Sequence, residues 1–207
     1  MLTAFTAGLL LITVSELGDK TFFIAAILAM RHARRWVFLG AVAALALMTV
    51  LSVLFGQAAS LLPAVYVQWA EALLFLTFGL KLLYSASHMP DQLCVEEQQE
   101  AMIAVKEADE KLPKRHTPFA IVTEAFGLTF LAEWGDRTQI ATIALAAANN
   151  PVGVTVGAIL GHAICAAVAV VCGRMVCGHI SERTITMLGG ALFLIFATIG
   201  FSELLWV

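Results

Sequence analysis

The chain has 207 residues, of which 60% are hydrophobic and only 13% charged, with a formal net charge of −3. Six apolar stretches of membrane-spanning length account for most of it, leaving no soluble domain of useful size. The lack of a basic stripe argues against a nucleic-acid role. The expected fold class is an all-α integral membrane protein.

Segment one, residues 2–30, lacks the basic start and small-residue cleavage site of a signal peptide and is expected to be retained. At its centre it reads Ser15-Glu16-Leu17-Gly18-Asp19-Lys20-Thr21. Segments two and three cover 36–56 and 65–85, and a polar linker follows at 87–117. In the linker, Glu107 with Lys111 and Glu110 with Lys114 are favourable i,i+4 pairs, so a short helix ending near Pro113 is expected. The linker reads as a solvated connection, with metal sensing as its functional alternative. Segment four, 119–148, carries Ala132-Glu133-Trp134-Gly135-Asp136-Arg137-Thr138, a second copy of the E-x-G-D-[K/R]-T pattern. Segments five and six cover 152–172 and 184–206.

Basic residues alternate between the connections. Arg31, Arg34 and Arg35 follow segment one, Lys106, Lys111, Lys114 and Arg115 lie in the linker, and Arg174 and Arg183 join segments five and six. The remaining connections carry none, so the positive-inside rule places both termini outside and the basic connections in the cytoplasm. The four cysteines, Cys94, Cys165, Cys172 and Cys177, show no disulfide or zinc spacing and read as small hydrophobes.

Glu16 and Glu133 are separated by 117 residues, and the same displacement relates Asp19 to Asp136, Thr21 to Thr138, Gly40 to Gly157 and Ala41 to Ala158. Two halves of three spans each, 1–86 and 118–207, must cross in opposite senses. Inverted repeats with a binding site near the midplane are a mark of secondary transporters.

An ionisable residue near the midplane costs roughly 2.5–3.5 kcal/mol on insertion scales. The six in the two motifs must therefore pair with one another or with a ligand. On an unbroken helix, Glu16 and Asp19 share a face at i,i+3, as do Glu133 and Asp136, and the threonines lie off that face. Gly18 and Gly135 weaken the helix locally, and a break there would free backbone carbonyls. Four carboxylates make a hard, oxygen-rich site suited to Ca²⁺, Mg²⁺ or Mn²⁺. Lys20 and Arg137 would bring its formal charge from −4 to −2, which one divalent cation or two protons would cancel. Crowded carboxylates cannot all ionise, so metal and protons would compete for one site. Driving a divalent cation outward costs about 2.3 kcal/mol per charge per 100 mV, so export needs an inward counter-ion. No ATP-binding loop is present to replace it. The structural alternative is two local ion pairs, Glu16 with Lys20 and Glu133 with Arg137, which leaves both aspartates unpaired.

The doubled motif on the first and fourth segments resembles the Gdt-type cation transporter family, which includes bacterial manganese exporters and a eukaryotic Golgi manganese/calcium transporter. The resemblance covers both membrane halves. It implies exchange of Mn²⁺ or Ca²⁺ for protons across a membrane, the bacterial inner membrane for a chain this short, with no cofactor and no enzymatic activity. It also implies that Glu16, Asp19, Glu133 and Asp136 are ligands, supported by Thr21 and Thr138. Homo-oligomerisation is left open. The rival readings are a six-helix exporter of a small organic solute and an intramembrane aspartyl protease.

Gln139 stands where the first half has Phe22, and reads equally as an asymmetric ligand or a packing residue. His162, opposite Leu45, reads as a structural histidine or a proton relay. Glu71, Glu124 and Glu203 lie toward span ends, where water could solvate them. Trp36, Trp69 and Trp206 read as interfacial anchors and Trp134 as packing across the repeat interface.

Overall fold

The computed structural model describes residues 1–89, 95–111, 117–176 and 181–205, all of whose regular structure is helical. The helices are α1 (Leu2–Glu16), α2 (Lys20–Arg31), α3 (Arg34–Ala59), α4 (Ala64–His88), α5 (Val95–Lys111), α6 (Pro118–Glu133), α7 (Arg137–Ala148), α8 (Pro151–Val176) and α9 (Glu182–Leu205). Four of them, α3, α4, α8 and α9, are individually long and apolar enough to cross a membrane. Cys94, Cys177, Lys114 and Trp206 lie outside the described residues, as do the side chains of Cys172, Glu110 and Lys111, so the readings placed on them are not addressed further.

Segments one and four are not single helices. Each breaks inside its motif, at Leu17–Asp19 and Trp134–Asp136, because Gly18 and Gly135 adopt φ of +80° and +83°. A side chain at such a φ is strained by roughly 1–2 kcal/mol. Gly18→Ala and Gly135→Ala should therefore each destabilise the protein by about 1–2 kcal/mol, read as a lowered midpoint of thermal unfolding in detergent. Gly127, also on a helix in segment four, has no atom within 4 Å of a would-be Cβ. Gly127→Ala should be neutral or stabilising, and an equal loss at all three positions would sink the argument.

The packing repeats with the sequence. α1 packs along α8 and α6 along α3, while α2 meets α8 and α7 meets α3; α4 pairs with α9. A Cβ at Gly40 would come within 2.5 Å of the Val122 carbonyl oxygen, and one at Gly157 would overlap that of Phe5. Phe5 and Val122 are themselves 117 residues apart, so one close helix crossing is made twice.

Two apolar clusters fill the interior. One, at the end carrying Arg31 and Arg34, joins α2 with Val37 and Ala41 of α3, Ile121 and Ala125 of α6, and Ala169 and Val170 of α8. The other joins α1 and α7 with Val53 of α3, Val154 of α8, and Phe75 and Phe193 of α4 and α9. Helix α3 thus runs from the first cluster to the second and α8 from the second to the first. Between the two clusters lie the buried polar groups, among them Glu16, Thr21, Thr49, Glu133, Thr138 and His162.

The linker contains a helix, as its pattern predicts, but that helix is not merely solvated. Ala101 and Val105, one turn apart on α5, are fully buried in the first cluster against α2. Trp134 does not pack across the repeat interface; it is 60% exposed, beside Phe130. Glu71 is buried rather than hydrated and accepts a hydrogen bond from Asn149 Nδ2 at 3.1 Å. Glu124 lies 3.8 Å from His32 Nε2, with both side chains largely covered.

Candidate functional site

The two helix breaks meet in the polar layer. Breaking the helix turns the i,i+3 arrangement into another geometry: Glu16 ends α1, and Asp19 stands at the start of α2. One carboxylate oxygen from each of Glu16, Asp19 and Glu133 lies within 4.8 Å of the other two. Ca²⁺–oxygen bonds of 2.3–2.6 Å separate opposed ligands by about 5 Å, so the three can share one ion without backbone movement.

The threonines, off-face on an unbroken helix, are brought in by the breaks. Thr21 Oγ1 donates to Glu16 Oε2 at 3.1 Å, and Thr138 Oγ1 lies 3.4 Å from Glu133 Oε2. Among the described residues the other oxygen of each glutamate, Glu16 Oε1 and Glu133 Oε1, is buried with no hydrogen-bond partner. An orphaned carboxylate oxygen in the interior is costly, and two of them in one three-carboxylate cluster could be satisfied by a cation or by protons.

The two halves use their aspartates differently. Asp136 Oδ2 accepts from Thr138 N at 3.2 Å and Thr138 Oγ1 at 3.0 Å, capping α7, and does not belong to the three-carboxylate cluster. Asp19 makes no such cap; its Oδ1 receives Arg137 Nη2 at 2.9 Å across the repeat. The local ion pairs suggested by i,i+4 spacing are therefore replaced by other partners. Lys20 reaches Glu100 of α5 at 3.1 Å, with both side chains substantially exposed, and Arg137 serves the opposite motif. With all four groups ionised, Glu16, Asp19, Glu133 and Arg137 sum to −2, the value reached from sequence through a different set.

Gln139 acts on the turn. Its Oε1 accepts from Gly135 N at 2.7 Å, holding the positive-φ glycine in place, while its Nε2 faces Met48 Sδ at 4.0 Å. Cys165 is buried, with its thiol directed at the Thr13 carbonyl oxygen at 3.4 Å.

A cavity of about 200 Å³ reaches this locus from the basic end. Ser15, Gly18, Asp19 and Arg137 line it on one side, and Lys81, Ser85 and Thr186, from α4 and α9, on the other. Asp19 and Arg137 line this cavity, and the buried Glu16 and Glu133 lie behind it.

The model of a family described as divalent cation/proton antiporter GDT1 matches residues 4–90 and 121–205, which include both motifs and both helix breaks. The chain belongs to this family. It is 59% identical over 199 residues to GDT1-like protein sll0615 of Synechocystis sp., spanning 96% of this chain and 97% of that one. It is 46% identical over 202 residues to GDT1-like protein 3 of Oryza sativa subsp. indica, covering 94% of this chain and 72% of the relative. It is also 42% identical over 214 residues to the chloroplastic PAM71-homolog of Arabidopsis thaliana, covering 96% of this chain and 59% of that protein. No solved structure matches the chain. The family match spans the two repeats and leaves out 91–120, the linker and its flanks.

Proposed function

We propose that this GDT1-family member is a six-span, inverted-repeat exporter that moves a divalent cation out of the cytoplasm in exchange for protons. Each broken pair, α1–α2 and α6–α7, forms one span, joining the four continuous ones. The opposite senses of α3 and α8 between the two apolar clusters support the inversion, and the arginines of the basic end favour a cytoplasmic position for it. Both termini are then external, and the membrane is the bacterial inner membrane.

The observation that carries the reading is the cluster of Glu16, Asp19 and Glu133 with two buried, unpartnered carboxylate oxygens. Such a group is stable only with cation or protons bound, so loading one releases the other. Glu16, Asp19 and Glu133 are the ligands; Thr21 and Thr138 hold the glutamates, Arg137 balances charge, and Asp136 shapes the second turn. Lys20 anchors α5 rather than gating the site. Oxygen-only donors favour Mn²⁺, Ca²⁺ or Mg²⁺ over softer metals. Mn²⁺ is the substrate favoured by family resemblance, and Ca²⁺ is the alternative the same donors admit.

The test is Mn²⁺ flux into proteoliposomes under an imposed pH gradient, with Ca²⁺ in parallel. Flux at least ~10-fold above protein-free vesicles, collapsing when a proton ionophore removes the gradient, is the expected result. No gradient-dependent flux of either metal through correctly inserted protein would overturn the reading.

A further inference from the structure

Two small chambers flank the carboxylate cluster, each of about 10 Å³, near the size that holds a single water. The first lies toward the basic end and is walled by Glu16, Thr21, Phe22, Ala25, Leu45 and His162, with Cys165 beside them. The second lies toward the opposite end and is walled by Thr49, Ser52, Glu133, Thr138, Thr142 and His162. The 117-residue displacement carries one wall onto the other, but the chemistry has diverged. Thr142 stands for Ala25, Gln139 for Phe22, Thr49 for Ala166 and Ser52 for Ala169. The repeat builds the same chamber twice and makes it hydrophilic once.

The hydrophilic chamber is rich in acceptors. Thr49 Oγ1 donates to Leu45 O at 2.9 Å, Ser52 Oγ to Met48 O at 2.8 Å and Thr142 Oγ1 to Thr138 O at 2.7 Å. With their protons committed to backbone carbonyls, these hydroxyls retain only acceptor capacity, beside the unpartnered Glu133 Oε1. Such a wall suits a water that donates, or an excess proton. His162 lies on α8 between the two apolar clusters and walls both chambers. It is 95% buried, at 5% exposure, and its Nδ1 has no hydrogen-bond partner among the described residues. The titratable groups that face it are Glu16 from α1, Glu133 from α6 and Cys165 on its own helix; α2, α3 and α7 bring none to these walls.

We propose that the second chamber and His162 form the proton route to the carboxylate cluster, separate from the 200 Å³ cavity by which the cation reaches Asp19. A proton entering through the Thr49–Ser52–Thr142 chamber is accepted at one ring nitrogen of His162, and the proton on the other nitrogen leaves toward Glu16. The ring ends neutral as its second tautomer, so one proton in is matched by one proton out. In the orientation proposed above, the hydrophilic chamber lies on the outer side of the carboxylate cluster, the side from which protons enter an exporter. This inference rests on the antiport reading.

The experiment compares two modes of Mn²⁺ movement in proteoliposomes: gradient-driven uptake, and Mn²⁺/Mn²⁺ isotope exchange at equal pH, which moves no net protons. His162→Leu installs the residue that the other half carries at Leu45. It should lower gradient-driven uptake at least ~10-fold while keeping isotope exchange within about threefold of wild type. The double variant Ser52→Ala, Thr142→Ala, which copies the residues of the first half, should lower the gradient-driven mode by roughly threefold or more, again sparing exchange. This pair decides the matter if His162→Leu fails to insert. Gradient-driven uptake within twofold of wild type in both variants, or equal loss of both modes, would overturn the proton route. A wild type that exchanges isotope but ignores the gradient would instead overturn the antiport reading, and the two failures are distinguished by the protein in which they occur.

Discussion

Glu16→Gln and Glu133→Gln should each reduce gradient-driven Mn²⁺ flux by at least ~100-fold, at the upper limit of what even outer-shell partners of a metal site cost. Glutamine preserves side-chain length and an amide oxygen that can still accept from Thr21 at position 16 or lie beside Thr138 Oγ1 at position 133, so the local fold is retained. What is lost is one of three negative charges within 4.8 Å of each other, and with it a ligand and a proton acceptor together. Both cargoes therefore fail at once, and Mn²⁺ binding measured calorimetrically should weaken in step with flux.

The aspartates sharpen the test. Asp19→Asn removes a member of the cluster and should approach the glutamate variants in severity. Asp136→Asn acts on a residue whose oxygen caps α7, and asparagine caps nearly as well as aspartate. Its loss of flux should be clearly smaller than that of Asp19→Asn. Equal losses at the two positions would sink the three-carboxylate assignment and restore a symmetric site of four.

Much of this was legible before any coordinates. A six-residue pattern carrying three charges, placed twice at the centre of apolar segments, identifies the polar layer, because an unpaired charge there is too costly to occur by accident. The glycine in each copy signals a break. Which charges pair was not legible, since the i,i+4 rule that joins Glu16 to Lys20 presumes the continuous helix that the same glycine abolishes. Once Gly18 and Gly135 turn the chain, Arg137 faces Asp19 and Lys20 faces α5, contacts about 118 and 80 residues apart in sequence. The capping role of Asp136 follows from the new helix start and is equally invisible in the unbroken reading. The docking of α5 through Ala101 and Val105 was hidden by the charges around them. Thr49, Ser52 and Thr142 were overlooked, although a signal existed: in the aligned halves each stands against an alanine. The shared residues of the two copies mark the carboxylate site, whereas these three lie where the copies differ.

Arg137→Gln should tighten equilibrium Mn²⁺ binding about tenfold while slowing gradient-driven turnover by at least about tenfold, a modest electrostatic effect for a partly exposed pair. The guanidinium holds Asp19 Oδ1 at 2.9 Å and lines the cavity that leads to the cluster. Its charge beside Asp19 competes with that of an arriving metal for the same carboxylate. Without it, Asp19 is open to the metal and the cluster goes from −2 to −3, both of which favour binding. Release then lacks the competing cation that closes on Asp19 as the metal leaves, and the loaded state becomes a trap. Arg137→Lys keeps the charge but not the planar fork, so it should fall between glutamine and wild type in both measurements. Weaker Mn²⁺ binding in Arg137→Gln would mean that the arginine builds the site rather than competes for it, and that Asp19 depends on its bond to Arg137 to reach the metal at all.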